Sequence, residues 1–137
     1  MHTFGEYESN RYGVFFTTNP AFAALYGEVE KYELLINNTI NLDKQIDFSE
    51  FIDDLLEKDR NTGLEAREVL HGGKPIWMAF EEDLGKHFVA YLLQQGYDSA
   101  TFTEYNENDE GEEIESQTIV VLKPNKIVKG GQLQLDI

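Results

Sequence analysis

The sequence contains no cysteine, and this absence excludes three kinds of chemistry. Without thiols there is no disulfide framework, no thiolate zinc site and no cysteine nucleophile. Basic side chains are also scarce, because 11 Lys and Arg stand against 26 Asp and Glu, giving a formal net charge of −15. A surface of this charge repels phosphate backbones, so we expect no direct binding to nucleic acid. An acidic protein can instead bind a basic protein partner.

Long apolar runs are missing as well. No run approaches the roughly 20 residues that cross a bilayer, and the first residues lack the basic and apolar regions of a signal peptide. We therefore expect no membrane association and a cytoplasmic location in a bacterial or host cell. Hydrophobic residues are 41% of the 137 residues, which is enough to build a core. This length predicts a single domain over 1–137, as a monomer or small homo-oligomer.

The first third of the chain alternates between strand and helix signals. Residues 13–17 are a short run of β-forming residues, and Asn19-Pro20 follows as an N-cap and a first helical residue. The next residues are rich in Ala, and Gly27 ends the run. This part of the sequence predicts a helix over 20–26 and strands over 13–17, 29–36 and 39–42.

Apolar residues recur at helical spacing in the middle of the chain, and β-branched residues dominate its last third. The spacing predicts helices over 48–58, 63–70 and 76–95. Strands are expected over 97–103, 117–122, 126–128 and 132–137. Residues 104–115 contain seven acidic residues and no basic one, which indicates a solvated loop. Helices in the middle and strands at both ends indicate an α+β fold.

Two segments carry a resemblance to a known family. The run from Gly13 to Tyr26 has a glycine, an apolar residue, two aromatics, a short turn and a helix ending in Ala-Leu-Tyr. Residues 96–100 and 117–127 read Gly-Tyr-Asp-Ser-Ala and Gln-Thr-Ile-Val-Val-Leu-Lys-Pro-Asn-Lys-Ile. In this order they resemble the second and third motifs of ADP-ribosyltransferases of the diphtheria-toxin and poly(ADP-ribose) polymerase branch. The resemblance implies a split of two small, mostly antiparallel sheets with peripheral helices, and NAD as the cofactor.

The resemblance also implies roles for individual residues that hold NAD. Tyr26 matches the tyrosine that stacks on the nicotinamide, or else it closes a helix end. Phe15 matches the tyrosine of the His-Tyr-Glu triad and would form an aromatic wall, or else it is a core phenylalanine. His2 and Thr3 match the first motif without its glycine, or else they belong to a ragged chain terminus. Arg11, just before the second-motif strand, would offer a positive group to the pyrophosphate.

The catalytic position of the third motif holds Gln117 where the family has glutamate. Breaking the bond between nicotinamide and ribose develops positive charge on the ribose, which a carboxylate stabilises and an amide does not. Glu115 lies two residues earlier, and if the strand begins that early, alternation places it on the same face, where it would replace or assist Gln117. Otherwise it is one more acid of the acidic loop. With His2, these residues are the candidate catalytic group, and no metal is required.

Three functions are compatible with this pattern. The first is a small NAD-dependent mono-ADP-ribosyltransferase that modifies a protein target, as a phage or bacterial effector against a host or defence protein. The second is a catalytically inactive, acidic protein of the same fold that binds and inhibits a basic, nucleic-acid-binding partner. The third is an acidic α+β adaptor whose resemblance to the family is accidental.

Overall fold

A computed structural model describes residues 2–4, 12–25 and 31–129 of the chain. Its strands are β1 (His2–Phe4), β2 (Val14–Thr17), β3 (Lys31–Leu34), β4 (Thr39–Asn41), β5 (Ser99–Glu107), β6 (Glu113–Val121) and β7 (Ile127–Lys129). Its α-helices are α1 (Pro20–Ala23), α2 (Ser49–Lys58), α3 (Arg60–Leu70) and α4 (Glu82–Gln94). Short 3₁₀ helices cover Ile76–Phe80 and Pro124–Lys126. The elements confirm the α+β class. The strand predicted over 132–137 lies outside the described residues.

Two groups of strands are joined edge to edge. Among the described residues the order is β4-β5-β6-β2-β1-β3-β7. Every neighbouring pair is antiparallel except β4 and β5, which are parallel. The groups β4-β5-β6-β2 and β1-β3-β7 meet through one residue pair, Phe4 with Thr17. The two small, mostly antiparallel groups were predicted, and this single pair makes them one continuous ladder of strands.

Helix starts follow local capping chemistry. Asn19 caps α1, because its side-chain oxygen accepts a hydrogen bond from the Ala21 amide at 3.0 Å. Asp59 caps α3 by accepting bonds from the Thr62 amide at 3.3 Å and the Thr62 hydroxyl at 2.8 Å. The helix predicted from residue 63 therefore begins three residues earlier, because aspartate provides the cap.

The helix predicted over 76–95 is broken in two. Residues 76–80 form a 3₁₀ helix, Glu81 is extended, and Glu82 has a φ of +53° in the left-handed region before α4 continues. Gly85 makes the turn possible, since a Cβ there would lie 2.3 Å from the carbonyl oxygen of Phe80. Helical spacing gives no sign of this break, because Phe80 is buried like the apolar residues of α4 although it lies in the 3₁₀ helix.

The acidic segment 104–115 is a β-hairpin and not the predicted loop. β5 continues to Glu107, β6 begins at Glu113, and the two strands pair along their whole length. Backbone ladder bonds and the turn glycine Gly111, with a φ of +79°, stabilise the hairpin despite its charge. The prediction of a loop rested on the charge of the segment. Composition contains no information about the strand that pairs with it.

The sheet group that contains β5 and β6 is covered unequally on its two faces. Helices α2, α3 and α4 cover one face, and the core there holds large buried rings: Phe15, Phe48, Phe51, Phe80, Phe88 and Phe102. A smaller cluster on the opposite face joins β2 and β6 to β3 through Phe16, Leu34, Ile119 and Val121. This second cluster ends at Ile119. From Ile119 toward the turn of the hairpin, the face that the helices do not cover is open to solvent.

Candidate functional site

Two residues predicted to serve one NAD site lie on opposite faces of the sheet. Phe15 on β2 is paired with Val120 on β6, and Gln117 precedes Val120 by three residues. Side chains alternate between faces along a strand, so Phe15 and Gln117 point to opposite sides. Phe15 is only 6% exposed, and its ring meets the edge of Phe80 at a centroid distance of 5.5 Å. The structure therefore corrects its predicted role as a pocket wall, because the side chain belongs to the core.

Four other predicted residues belong to the N-terminal part of the chain. Tyr26 and Arg11 lie outside the described residues. His2 and Thr3 belong to β1, where they are paired with Glu33 and Tyr32 of β3. Their roles toward NAD stay predictions.

Gln117 and Glu115 do share a face, as strand alternation predicted, and both are exposed. The Gln117 amide nitrogen donates to the Thr101 hydroxyl at 2.7 Å. The Thr103 hydroxyl, next along β5, donates to Asp43 at 2.7 Å, and the Thr103 amide donates to the same carboxylate at 3.0 Å. Gln117 thus lies in a row of polar side chains that bond to one another across the strands.

Tyr105 stands at the centre of this row. It pairs directly with Glu115, and its hydroxyl donates to a Glu115 carboxylate oxygen at 3.3 Å. The side chain is 60% exposed, an unusual position for a large ring. The negative charge of Glu115 raises the pKa of the Tyr105 hydroxyl, and Glu113 and Asp43 act in the same direction. The hydroxyl therefore stays protonated and available as a donor.

The charged side chains of this surface are all acidic. Glu107 and Glu113 are direct cross-strand partners, an arrangement that costs stability because like charges face each other. Two ion pairs, Lys58–Asp54 and Lys74–Glu68, lie on the helices and beside them. We call this surface the hairpin face and define it by Asp43, Thr101, Thr103, Tyr105, Glu107, Glu113, Glu115 and Gln117.

The turn that closes the hairpin is ordered by Asn108. Its side-chain oxygen accepts bonds from the Glu110 amide at 3.0 Å and the Glu112 amide at 2.9 Å. Its backbone amide donates to the Glu112 carbonyl at 2.9 Å, and the Gly111 amide donates to the Asn108 carbonyl at 3.0 Å. The acidic tip is therefore held in one backbone conformation. A shallow cleft of about 300 Å³ separates it from Ala24 and Leu25.

Buried hydroxyl groups on the reverse side connect the hairpin to β2. Thr17 and Ser116 are 2.6 Å apart, and Ser116 and Thr118 are 2.9 Å apart, all out of solvent. The Asn19 amide group donates to the Glu115 carbonyl at 2.8 Å. These bonds fix the strand that presents Glu115, so the hairpin face is supported from behind.

Sequence reasoning missed Asp43, Thr103 and Tyr105. A signal for the last two is present, since Thr101, Thr103, Tyr105 and Glu107 alternate in a period of two. Asp43 gives no such signal because it reaches Thr103 only through the parallel pairing of β4 and β5. Within the described ranges, no group of three or more acidic or histidine side chains is arranged to hold a metal ion.

Comparison with known proteins supports a statement about the fold only. No protein-family model matches the sequence, and no curated protein matches it. An anti-CRISPR protein known from a crystal structure is similar in fold, with 19% sequence identity and a TM-score of 0.50 over 94% of each chain. At this identity the likeness establishes a shared fold across nearly the whole chain. Among the described residues, no helix is long and apolar enough to cross a membrane.

Proposed function

We propose that this protein is an inhibitor that binds a basic, nucleic-acid-binding protein through its hairpin face. The observation that carries the proposal is an open sheet face with carboxylates around an exposed tyrosine. The like-charge pair Glu107–Glu113 lowers the stability of the fold. A positively charged partner would relieve this repulsion, and the relief would strengthen binding. The net charge of −15 would also speed association with a basic target.

The fold likeness to an anti-CRISPR protein supports a narrower form of the proposal. In CRISPR effector complexes of the Cas9 type, the duplex of guide RNA and target DNA lies in a positively charged channel of the protein. A rigid acidic hairpin is complementary to such a channel and would compete with the nucleic acid for it. We therefore propose a protein of a CRISPR system as the target, reached in the bacterial cytoplasm, with no direct contact to nucleic acid.

Neutralising three charges of the hairpin face tests the proposal. In the variant Glu107→Gln/Glu113→Gln/Glu115→Gln, we expect target affinity to fall roughly 30-fold, since three exposed charge pairs are worth about 2 kcal/mol together. Mobility-shift assays would measure how well each protein prevents purified CRISPR effector complexes from binding target DNA. The loss should shrink as salt is raised, because salt screens exposed charges.

A matched control changes the same number of charges on the helical side. The exposed acids Asp53, Glu57 and Glu65 lie on α2 and α3. Replacing them with Asn, Gln and Gln changes the net charge from −15 to −12, as the hairpin variant does (−15 + 3 = −12). Equal losses in both variants would show that only total charge matters. Full inhibition by the hairpin variant would refute docking through the hairpin face.

A second candidate function is NAD-dependent ADP-ribosylation of the target protein. One specific observation favours it: the two strands that carry the family resemblance are neighbours, with β2 paired to β6 from Val14–Val121 to Thr17–Thr118. Gln117 and Glu115 then lie beside Phe16 and Ile119, on the face opposite Phe15.

Calorimetry with NAD separates the two functions. If the second one holds, wild-type protein should bind NAD in the millimolar range or tighter, and Tyr26→Ala should abolish the heat while remaining folded. Labelled NAD should then modify a protein in cell lysate, and Glu115→Ala and Gln117→Ala should each reduce that labelling at least tenfold, as loss of one transition-state contact does. An absence of heat at millimolar NAD would contradict the second function for the isolated protein, and the binding inhibitor would then lead.

A further inference from the structure

We infer that the hairpin face recognises an arginine side chain of its partner, with the guanidinium seated over the ring of Tyr105 and against the carboxylates beside it. This inference rests on the proposed docking function and names the chemical group that the surface selects. It also assigns a role to Tyr105, a large side chain of which 60% faces solvent.

The ring is held in place by the carboxylate across the ladder. The Tyr105 hydroxyl donates to one oxygen of Glu115 at 3.3 Å, and a carboxylate has about four acceptor sites. Glu115 therefore keeps most of its acceptor capacity. The hydrogen bond leaves a planar ring beside a charged group whose position is set before binding, which lowers the entropy lost on association.

A second carboxylate lies along the strand. Both oxygens of Asp43 accept bonds from Thr103, at 3.0 Å from the amide and 2.7 Å from the hydroxyl. Thr103 and Tyr105 are two residues apart on β5 and share a face. The negative charges of Glu115, Glu113 and Asp43 all act on the Tyr105 hydroxyl. Two carboxylates near the ring, Glu115 on β6 and Asp43 after β4, are therefore held by hydrogen bonds to residues of β5.

This combination selects arginine over lysine. A guanidinium is planar and stacks on an aromatic face while its N–H groups bond carboxylates in pairs. A lysine ammonium is a strongly hydrated point charge and gains less from the ring. An anionic ligand such as a phosphate is repelled by the same carboxylates. Arginine is also the basic residue most often found at energetic centres of protein interfaces.

Peptides of matched charge test the inference. One probe carries three arginines separated by glycines, and the other carries three lysines in the same positions. At low salt we expect wild-type protein to bind the arginine peptide about fivefold more tightly, as a cation–π contact of about 1 kcal/mol gives. Tyr105→Ala should remove this preference, and Tyr105→Phe should retain part of it, because the ring stays and the hydroxyl is lost.

Tyr12→Ala is the control, since Tyr12 is also an exposed tyrosine, at 43%, and lies beside Gly85 away from the hairpin. Its arginine preference should equal that of wild type, and thermal unfolding checks that each variant is folded.

Equal binding of both peptides, no binding of either, or a preference that survives in Tyr105→Ala would overturn the inference. If the triple charge variant still loses target affinity in that case, docking through the hairpin face stands without it. If Tyr105→Ala keeps the arginine preference and the triple charge variant keeps its target affinity, both proposals are wrong.

Discussion

The Asp98→Asn variant is expected to be about 3 kcal/mol less stable to urea unfolding than the wild-type chain. Asp98 is only 6% exposed and accepts three hydrogen bonds. The Asn37 amide donates to one oxygen at 2.8 Å, while the Asn38 amide at 3.1 Å and the Ser99 hydroxyl at 2.8 Å donate to the other. An asparagine would turn its NH₂ group toward at least one of these donors. That donor would then lack its acceptor in a partly or fully buried position.

The effect matters for the architecture because Asp98 joins two parts of the chain that are distant in sequence. Residues 37 and 38 lead into β4, and Asp98 immediately precedes β5, the strand to which β4 is paired. The control is Asp53→Asn on the exposed side of α2, which should change stability by less than about 0.5 kcal/mol. A loss below 1 kcal/mol in Asp98→Asn would contradict the importance assigned to this carboxylate.

The stability difference between wild type and Asp98→Asn should depend on pH, in a way that follows from the direction in which the pKa of Asp98 is shifted. Burial alone would raise the pKa of Asp98, but the hydrogen bonds from Asn37, Ser99 and Asn38, aided by the charge of Lys126, outweigh it and leave the pKa lowered. A carboxyl with a lowered folded pKa stabilises the protein above its unfolded value, near 3.9, and the contribution is lost as pH falls through the folded value. The stability gap between wild type and Asp98→Asn should be full at pH 7 and narrower at pH 3.

The Phe80→Ala variant is expected to lose about 4 kcal/mol, the larger of the two effects. Phe80 is fully buried, and its ring lies 5.5, 5.4 and 6.0 Å from those of Phe15, Phe88 and Phe102. It connects β2, α4 and β5 in one aromatic cluster. Truncation removes these contacts and leaves a cavity whose backbone walls are held by the sheet and the helix.

Urea unfolding monitored by circular dichroism measures the loss. Tyr105→Ala is the control, because it removes an aromatic ring from an exposed strand position and should cost less than about 1 kcal/mol. The same control shows that the arginine test uses a folded protein. A loss from Phe80→Ala no larger than that from Tyr105→Ala would contradict the packing of the core described above.

Local chemistry made most of the helices predictable. The apolar spacing in 48–58 and 63–70 matches α2 and the greater part of α3, because those faces are buried against the sheet. The break at Glu81 and Glu82 was not predictable, since it depends on how closely Gly85 approaches Phe80. The hairpin was missed for a similar reason: the bonds that stabilise an acidic strand are made by a partner strand.

The candidate site was predictable only in part. Alternation placed Glu115 and Gln117 together on one face, and the structure agrees. It does not place Phe15 on that face, because the register of β2 against β6 turns Phe16 toward it instead. A motif of adjacent aromatics cannot show which ring faces the site until the pairing is known.

By itself, the sequence determined the α+β class, the negative net charge, the absence of thiol chemistry and the shared face of Glu115 and Gln117. These properties depend on composition or on periods within one segment, which the chain carries before it folds. Only the tertiary structure decided that the acidic segment is a hairpin, that Tyr105 stands beside Glu115 and that Asp43 is bonded to Thr103 on the same open face. Those neighbours come from strands paired across 10 and 60 positions of the chain, and no local pattern encodes such a pairing.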